Sequence, residues 1–494
     1  MRPVRRHAAT LGTSALLSLP TAAEATQLTA QPAGTFRDSI GINTHLRWDG
    51  TPYVTTSQAT IRQLITDLGI TRIRDVVCSE SDAGCAAGNQ RIADLYNAYG
   101  TGGPKVLLDA QVVPVPRDVP DRDTRDAKIR QALENVSVNP PLNNGMLDTL
   151  ESTNEPDLFT PSDQNWADVA AADLQAIQAA RKSITKSYGV TQLNWTSLLA
   201  PAAGRTENTP TFSSGAGWSS SLFQRANIHP YPGVGTPELA FDGACGNNDA
   251  VPAPGLPDVT PPEIVCAQQV TGRTTVEATE TGYTNNLNAC TPKGISTQAA
   301  ATYMPRLVLE NFRRGISHTY LYELLDLQPL YTSDAHGFGL VAAKYSGTTP
   351  VAGSVKPAYT ALKNTLGTIG DLGSTVRLGG TLDVTVGTTA APSVDLGQNT
   401  VRRMLLRRAD GSWVLALWQP QSAGYWRNNY WACTWSFVNT PISPTTYRVT
   451  LGTAGQSFAI DRYTPNSSAA VQSSTTGRTI DVPLTGDVTL LSFR

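Results

Sequence analysis

The chain has 494 residues, 40% hydrophobic and 16% charged, with 38 basic against 40 acidic residues and a formal charge of −2. That length predicts two or three domains, or one large barrel with a smaller module, and the apolar fraction suffices for a substantial core. Balanced charge without a concentrated basic face argues against a nucleic-acid or anionic-membrane partner. No internal run reaches the ~20 apolar residues of a membrane span.

Residues 1–25, "MRPVRRHAATLGTSALLSLPTAAEA", carry Arg2, Arg5 and Arg6, then a mildly apolar stretch, then Ala23-Glu24-Ala25 as a small-x-small cleavage site. This predicts a signal peptide and a secreted mature protein. All six cysteines follow it, and an even number in an exported chain favours disulfides. Cys78 and Cys85 bracket a short loop and are expected to pair. Cys245, Cys266, Cys290 and Cys433 leave three pairings open. There is no C-x-x-C and the five histidines are scattered, so no metal site and no cofactor is expected.

Residues 26–37 read as a linker able to add an edge strand to a later sheet. From 38 to 368 strands and helices alternate. "DSIGINTH" is strand-like, and "SQATIRQLITDLGI" an amphipathic helix capped by Ser57. "TRIRDVVC", "KVLLDAQVV", "MLDTLESTNEP", "QLNWTSLLAP", "RANIHPYP", "RTTVEATETGY" and "SHTYLYELLDL" follow as strands. Between them lie helical stretches such as "NWADVAAADLQAIQAARKSITKSYG" and "TQAAATYMPRLVLENFRRG", and "KPAYTALKNTLGTI" closes the series. Several strands are apolar throughout, which predicts a parallel sheet buried on both faces. Eight units suit a closed (β/α)8 barrel. An open doubly wound sheet would prefer a Gly-rich phosphate turn after its first strand, and "GINTHLRW" is not one. From 369 to 494 helical periodicity stops, and short alternating strands with turn signals such as Asp410-Gly411 predict a β-sandwich.

Barrel active sites lie at the C-terminal strand ends. Strand one ends in His45, Arg47 and Trp48, strand four in Asn154-Glu155-Pro156 and strand six in His229-Pro230-Tyr231. Strand seven ends at Glu280, and strand eight carries Glu323 and Asp326. Pro156 biases Glu155 away from helix, so an extended residue is expected there. Glutamates on strands four and seven face each other across a barrel mouth, the arrangement glycoside hydrolysis requires. Glu277 competes with Glu280 but lies deeper in its strand.

The Asn-Glu-Pro, His-x-Tyr and Glu-Thr-Gly-Tyr stretches, in this order at strand ends, resemble the clan A retaining glycoside hydrolases. "LYELLDLQP", "DAHGFGLV", "KPAYTALKN" and the sandwich tail look most like family 39 and its neighbours. The resemblance implies that Glu155 is the general acid/base and Glu280 the nucleophile. It further implies that Asn154 binds the sugar hydroxyl beside the anomeric carbon and that Tyr231 donates to Glu280. His229 would line the same floor. His45, Arg47, Trp48 and Glu323 are further candidates for binding an oligo- or polysaccharide. An exo-acting, xylosidase- or arabinosidase-like enzyme is the expectation, with the loop 233–272 walling one side of the cleft. The competing class is a non-catalytic carbohydrate-binding or cell-surface protein on a hydrolase scaffold.

Two further signals are set aside. Asn194-Trp195-Thr196 is a glycosylation triplet that falls inside a predicted buried strand. The arginines of "RRMLLRR" are expected on the exposed side of a strand.

Overall fold

The computed structural model describes residues 26–494 apart from 81–82, 240–261, 288–293, 330–335, 399, 430–433, 441 and 467. The predicted export segment, most of the loop 233–272, and Cys245, Cys290 and Cys433 lie outside these residues.

Eight strands form one sheet: β1 Ile40–Asn43, β2 Arg72–Val76, β3 Leu107–Gln111, β4 Leu147–Glu151, β5 Ser197–Leu199, β6 Ala226–Ile228, β7 Val276–Thr281 and β8 Ile316–Leu321. Their order is β5-β4-β3-β2-β1-β8-β7-β6, with every neighbouring pair parallel. The edges β5 and β6 meet through a parallel Leu199–Arg225 bridge, and the Ala200 N–H donates to the Arg225 carbonyl at 2.9 Å. The sheet therefore closes into a (β/α)8 barrel, leaving no free edge.

Among the described residues seven longer helices pack outside it: α1 Gln58–Leu68, α2 Ala83–Ala93, α3 Arg122–Ser137, α4 Trp166–Tyr188, α5 Pro262–Thr271, α6 Thr297–Arg313 and α7 Pro357–Ile369. Their ends follow the sequence signals. The Ser57 hydroxyl accepts the Thr60 N–H at 3.2 Å, and Gly69 ends α1 at φ 70°. Ile61, Ile65 and Leu68 recur at helical spacing and are all buried against the sheet. After β5 a 3-10 segment, Thr206–Ser214, takes the place of a long helix.

Four strands (Thr26–Thr29, Thr381–Thr388, Thr445–Leu451, Thr479–Leu484) make one antiparallel sheet of a C-terminal sandwich. Gln31–Pro32, Arg402–Arg407, Trp413–Trp418, Thr489–Phe493, Phe458–Tyr463 and Ser473–Gly477 make the other. The residues preceding the barrel thus contribute to both sheets, since Thr26 pairs with Val384 and Gln31 with Leu406.

Three local expectations change, and one element is added. Strand four stops at Glu151, and Glu155 is left-handed (φ 42°, ψ 54°) instead of extended. Proline excludes the right-handed region for its predecessor, and the tight turn into Pro156–Phe159 takes the left-handed alternative. The fifth strand is only Ser197–Leu199. Asn194 and Trp195 sit in a helical turn before it, and Trp195 is 85% exposed, so the triplet is not buried. Arg402 and Arg403 are buried, with Arg403 donating to Asp395 at 2.6 Å. A hairpin, Val341–Ser346 with Thr349–Val355, is inserted between β8 and α7. Among the described residues no helix is long and apolar enough to cross a membrane.

Candidate active site

The C-terminal strand ends surround a cavity of about 750 Å³, within the range of small-ligand sites. Asn154, Glu155, Tyr231, Glu280, His45, Arg47 and Trp48 line it. Two predicted residues do not. His229 lies directly beneath Glu155, and Glu323 is fully buried behind His45.

Glu280 is the penultimate residue of β7 and is 8% exposed. Its Oε1 accepts from Arg74 Nη1 at 2.7 Å and its Oε2 from the Tyr231 hydroxyl at 2.9 Å. The two donors, one of them a cation, hold the carboxylate in a fixed orientation. The Tyr231 phenol is pushed well up by burial and then by the Glu280 charge, so it remains a donor.

Glu155 is placed by its unusual backbone turn. The Asp157 carboxylate next to it accepts the Gly204 N–H at 2.8 Å and the Arg205 N–H at 3.1 Å, fixing the neighbouring loop. Gly204 permits the close approach, since a Cβ there would stand 3.1 Å from the Glu155 carboxyl carbon and would clash with Leu158. Glu155 Oε1 meets His229 Nδ1 at 2.8 Å, and among the described residues its Oε2 has no partner.

His229 Nε2 meets the Thr279 hydroxyl at 3.0 Å, and that hydroxyl also meets Asn227 Oδ1 at 2.9 Å. Asn227 Oδ1 is an acceptor, so Thr279 donates to it and receives from Nε2–H. Nδ1 and Glu155 Oε1 therefore share one proton, whichever of them carries it. Burial opposes protonation of His229, but the Glu280 charge and the bond to Glu155 outweigh it and raise its pKa.

Oxygens of Glu155 and Glu280 and the Nδ1 of His229 all lie within 4.8 Å of one another. A cation in this triangle would face the Arg74 guanidinium, which already occupies Glu280 Oε1. The second cluster of metal-ligand type, Cys78, Glu80 and Cys85, is spent as a ligand set because Cys78 and Cys85 form a disulfide. Cys266 is also disulfide-bonded.

Arg74 was not anticipated as a site residue. It sits buried at the middle of β2, and besides Glu280 it donates to Glu151 Oε1, Asn43 Oδ1 and Asn154 Oδ1, each at 2.8 Å. Its signal was an arginine inside a strand otherwise fit for burial, because a buried cation requires partners. Holding Asn154 Oδ1 turns the amide NH₂ of Asn154 toward the cavity. Tyr322 and Asn43 complete the polar end.

His45 stacks on Trp48 at 3.9 Å between ring centroids. Its Nε2 lies 3.2 Å from Glu323 Oε2 but without hydrogen-bond geometry, and neither ring nitrogen has a partner. Burial lowers its pKa to about 4, so the ring is neutral. At the rim, Glu80 accepts from Lys128 at 2.6 Å and lies 3.5 Å from Arg47. Glu277 is buried and engaged with Arg225 and with His318 at 3.0 Å, away from the cavity lining.

No protein-family model matches the chain, and no curated protein sequence matches it. Solved structures do. A family 39 glycoside hydrolase from Bacteroides cellulosilyticus WH2 superposes with TM-score 0.56 at 14% identity, covering 94% of this chain and 81% of that one. A glucosidase from Croceicoccus marinus gives TM-score 0.54 at 10% identity over 95% and 99%. SrfJ from Salmonella typhimurium gives 0.52 at 10% identity over 95% and 90%. The chain therefore has the barrel-plus-sandwich fold found in clan A glycoside hydrolases of family 39 and its neighbours.

Proposed function

We propose that the protein is a secreted retaining glycoside hydrolase that removes a terminal sugar from an oligo- or polysaccharide or another glycoside, in the manner of a xylosidase or arabinosidase. The observation that carries this reading is the approach of the Glu155 and Glu280 oxygens to within 4.8 Å in the cavity floor. Retaining enzymes hold their carboxyl groups about 5–5.5 Å apart, whereas inverting enzymes leave about 6.5–9.5 Å for a water.

In the first step Glu155 gives its proton to the glycosidic oxygen while Glu280 attacks the anomeric carbon. The bond to the leaving oxygen breaks, an alcohol departs, and a glycosyl ester on Glu280 remains. In the second step Glu155, now ionised, takes a proton from water. That water attacks the anomeric carbon and Glu280 leaves as a carboxylate. In this reading the Asn154 amide bonds a sugar hydroxyl and the Trp48 face adds an apolar surface for the ring.

The test is Glu155→Gln. Hydrolysis of glycosides with unactivated leaving groups should fall about 10²–10⁴-fold, while dinitrophenyl glycosides, which need no proton, should still form the glycosyl-enzyme. Proton NMR should find the first-formed sugar with retained configuration. An inverted product, or wild-type turnover of unactivated glycosides by the variant, removes the assignment. Glycan binding without turnover in a broad aryl-glycoside screen gives the non-catalytic reading instead. Reducing-end-labelled oligosaccharides decide exo against endo action.

A further inference from the structure

The cavity is divided by chemistry. Around Glu280 it presents Asn43, His45, Arg74, Asn154, Tyr231 and Tyr322. The opposite wall, running from β3 past Glu155, is Val113, Pro114, Val115, Val119 and Phe159. These side chains contain no hydrogen-bonding atom. The wall is joined to the acid/base: the Arg117 N–H donates to the Phe159 carbonyl at 2.8 Å, and the Phe159 N–H to the Glu155 carbonyl at 3.1 Å.

The proton donor marks where the leaving group departs, so this wall flanks the leaving group. A second sugar there would bring several hydroxyls against aliphatic carbon, and each unpaired hydroxyl taken from water is costly. Among the described residues the polar side chains on this side are Gln111, at the buried end of β3, and a set toward the rim, where Lys128 and Glu80 are paired and Arg117 and Asp118 are largely exposed. Nor does the wall offer a flat face for stacking. Among the described residues its one ring is Phe159, which has the Arg117 guanidinium over it at 5.5 Å.

Resting on the glycosidase reading, we propose that the leaving-group side takes a saturated alkyl aglycone, so that the substrate is an amphiphilic alkyl glycoside and not a chain of sugars. The polar end of the cavity holds the sugar. The alkyl chain lies along Val113, Val115 and Val119 toward the charged rim.

The experiment uses the wild-type protein and the sugar whose aryl glycoside it cleaves. kcat/KM is measured for the methyl, butyl, hexyl and octyl glycosides of that sugar and for a disaccharide ending in it. Each methylene buried against the wall should raise kcat/KM by up to about fourfold, and the octyl glycoside should exceed the disaccharide. Val115→Asp should flatten the chain-length dependence. A flat series, or a disaccharide preferred over the octyl glycoside, overturns the inference and leaves the glycosidase reading standing. Turnover of no aryl glycoside removes the glycosidase reading and the inference with it.

Discussion

Replacing Tyr231 by Phe deletes one atom from the site, the hydroxyl that donates to Glu280 Oε2 at 2.9 Å. The ring keeps its edge-on contact with Phe338, whose centroid is 5.6 Å away, so the fold should be little affected. A hydrogen bond to a charged group contributes about 1.5–3 kcal/mol. Glu280 gives up its charge on forming the glycosyl ester and regains it when the ester is hydrolysed. The bond therefore weakens in the first step and strengthens in the second. Its loss should slow release of Glu280 by roughly 10- to 150-fold and slow the attack much less. A dinitrophenyl glycoside should then give a burst of phenol followed by a slow steady state. KM should fall together with kcat, and intact-protein mass spectrometry should find the glycosyl adduct. Equal losses in both steps, or a full steady-state rate with no adduct, would refute this division of labour.

Two further outcomes follow from the buried charges. Arg74→Met strands Glu151, which has no exposed surface, and should cost about 3–5 kcal/mol; a thermal melt that does not move, or no partial recovery on adding Glu151→Gln, would contradict the pairing. His45 is neutral in the fold, its pKa lowered to about 4 from 6.5, whereas the unfolded chain binds the proton already near the ordinary value. Stability is therefore lost as pH falls from about 6.5 to about 4, by about 3 kcal/mol in total. The difference in melting temperature between pH 7 and pH 4 should shrink in His45→Gln, and an unchanged difference would argue against it.

The barrel was legible because alternation of short apolar runs with helical stretches is a long-range pattern, and the caps at Ser57, Gly69 and Gly189 mark helix ends directly. That Glu155 and Glu280 reach the C-terminal mouth of the barrel was legible for the same reason, although β4 itself stops at Glu151. Their environment was not. Which of the several basic residues would reach under the site depends on the barrel's closure, so Arg74 stood out only once its four partners were assembled from β1, β4 and β7 and the segment after β4. The left-handed turn at Glu155 escaped because a following proline says which conformation is excluded and not which is adopted. Arg402 and Arg403 escaped because strand alternation gives sides, while the charge that makes burial of Arg403 tolerable, Asp395, sits in the loop before the strand, and its fold-back is not written in the alternation.

The pairing of Thr26 with Val384 also sets an order of events during synthesis. At about 5–20 residues per second the partner of Thr26 leaves the ribosome roughly 20–70 s after it. Throughout that interval the barrel residues can assemble, while the leading strand has no sheet to join. Strands made after the barrel are thus the ones that fasten the segment made before it, and a nascent chain halted after α7 would carry an unpaired ribbon open to the wrong neighbours.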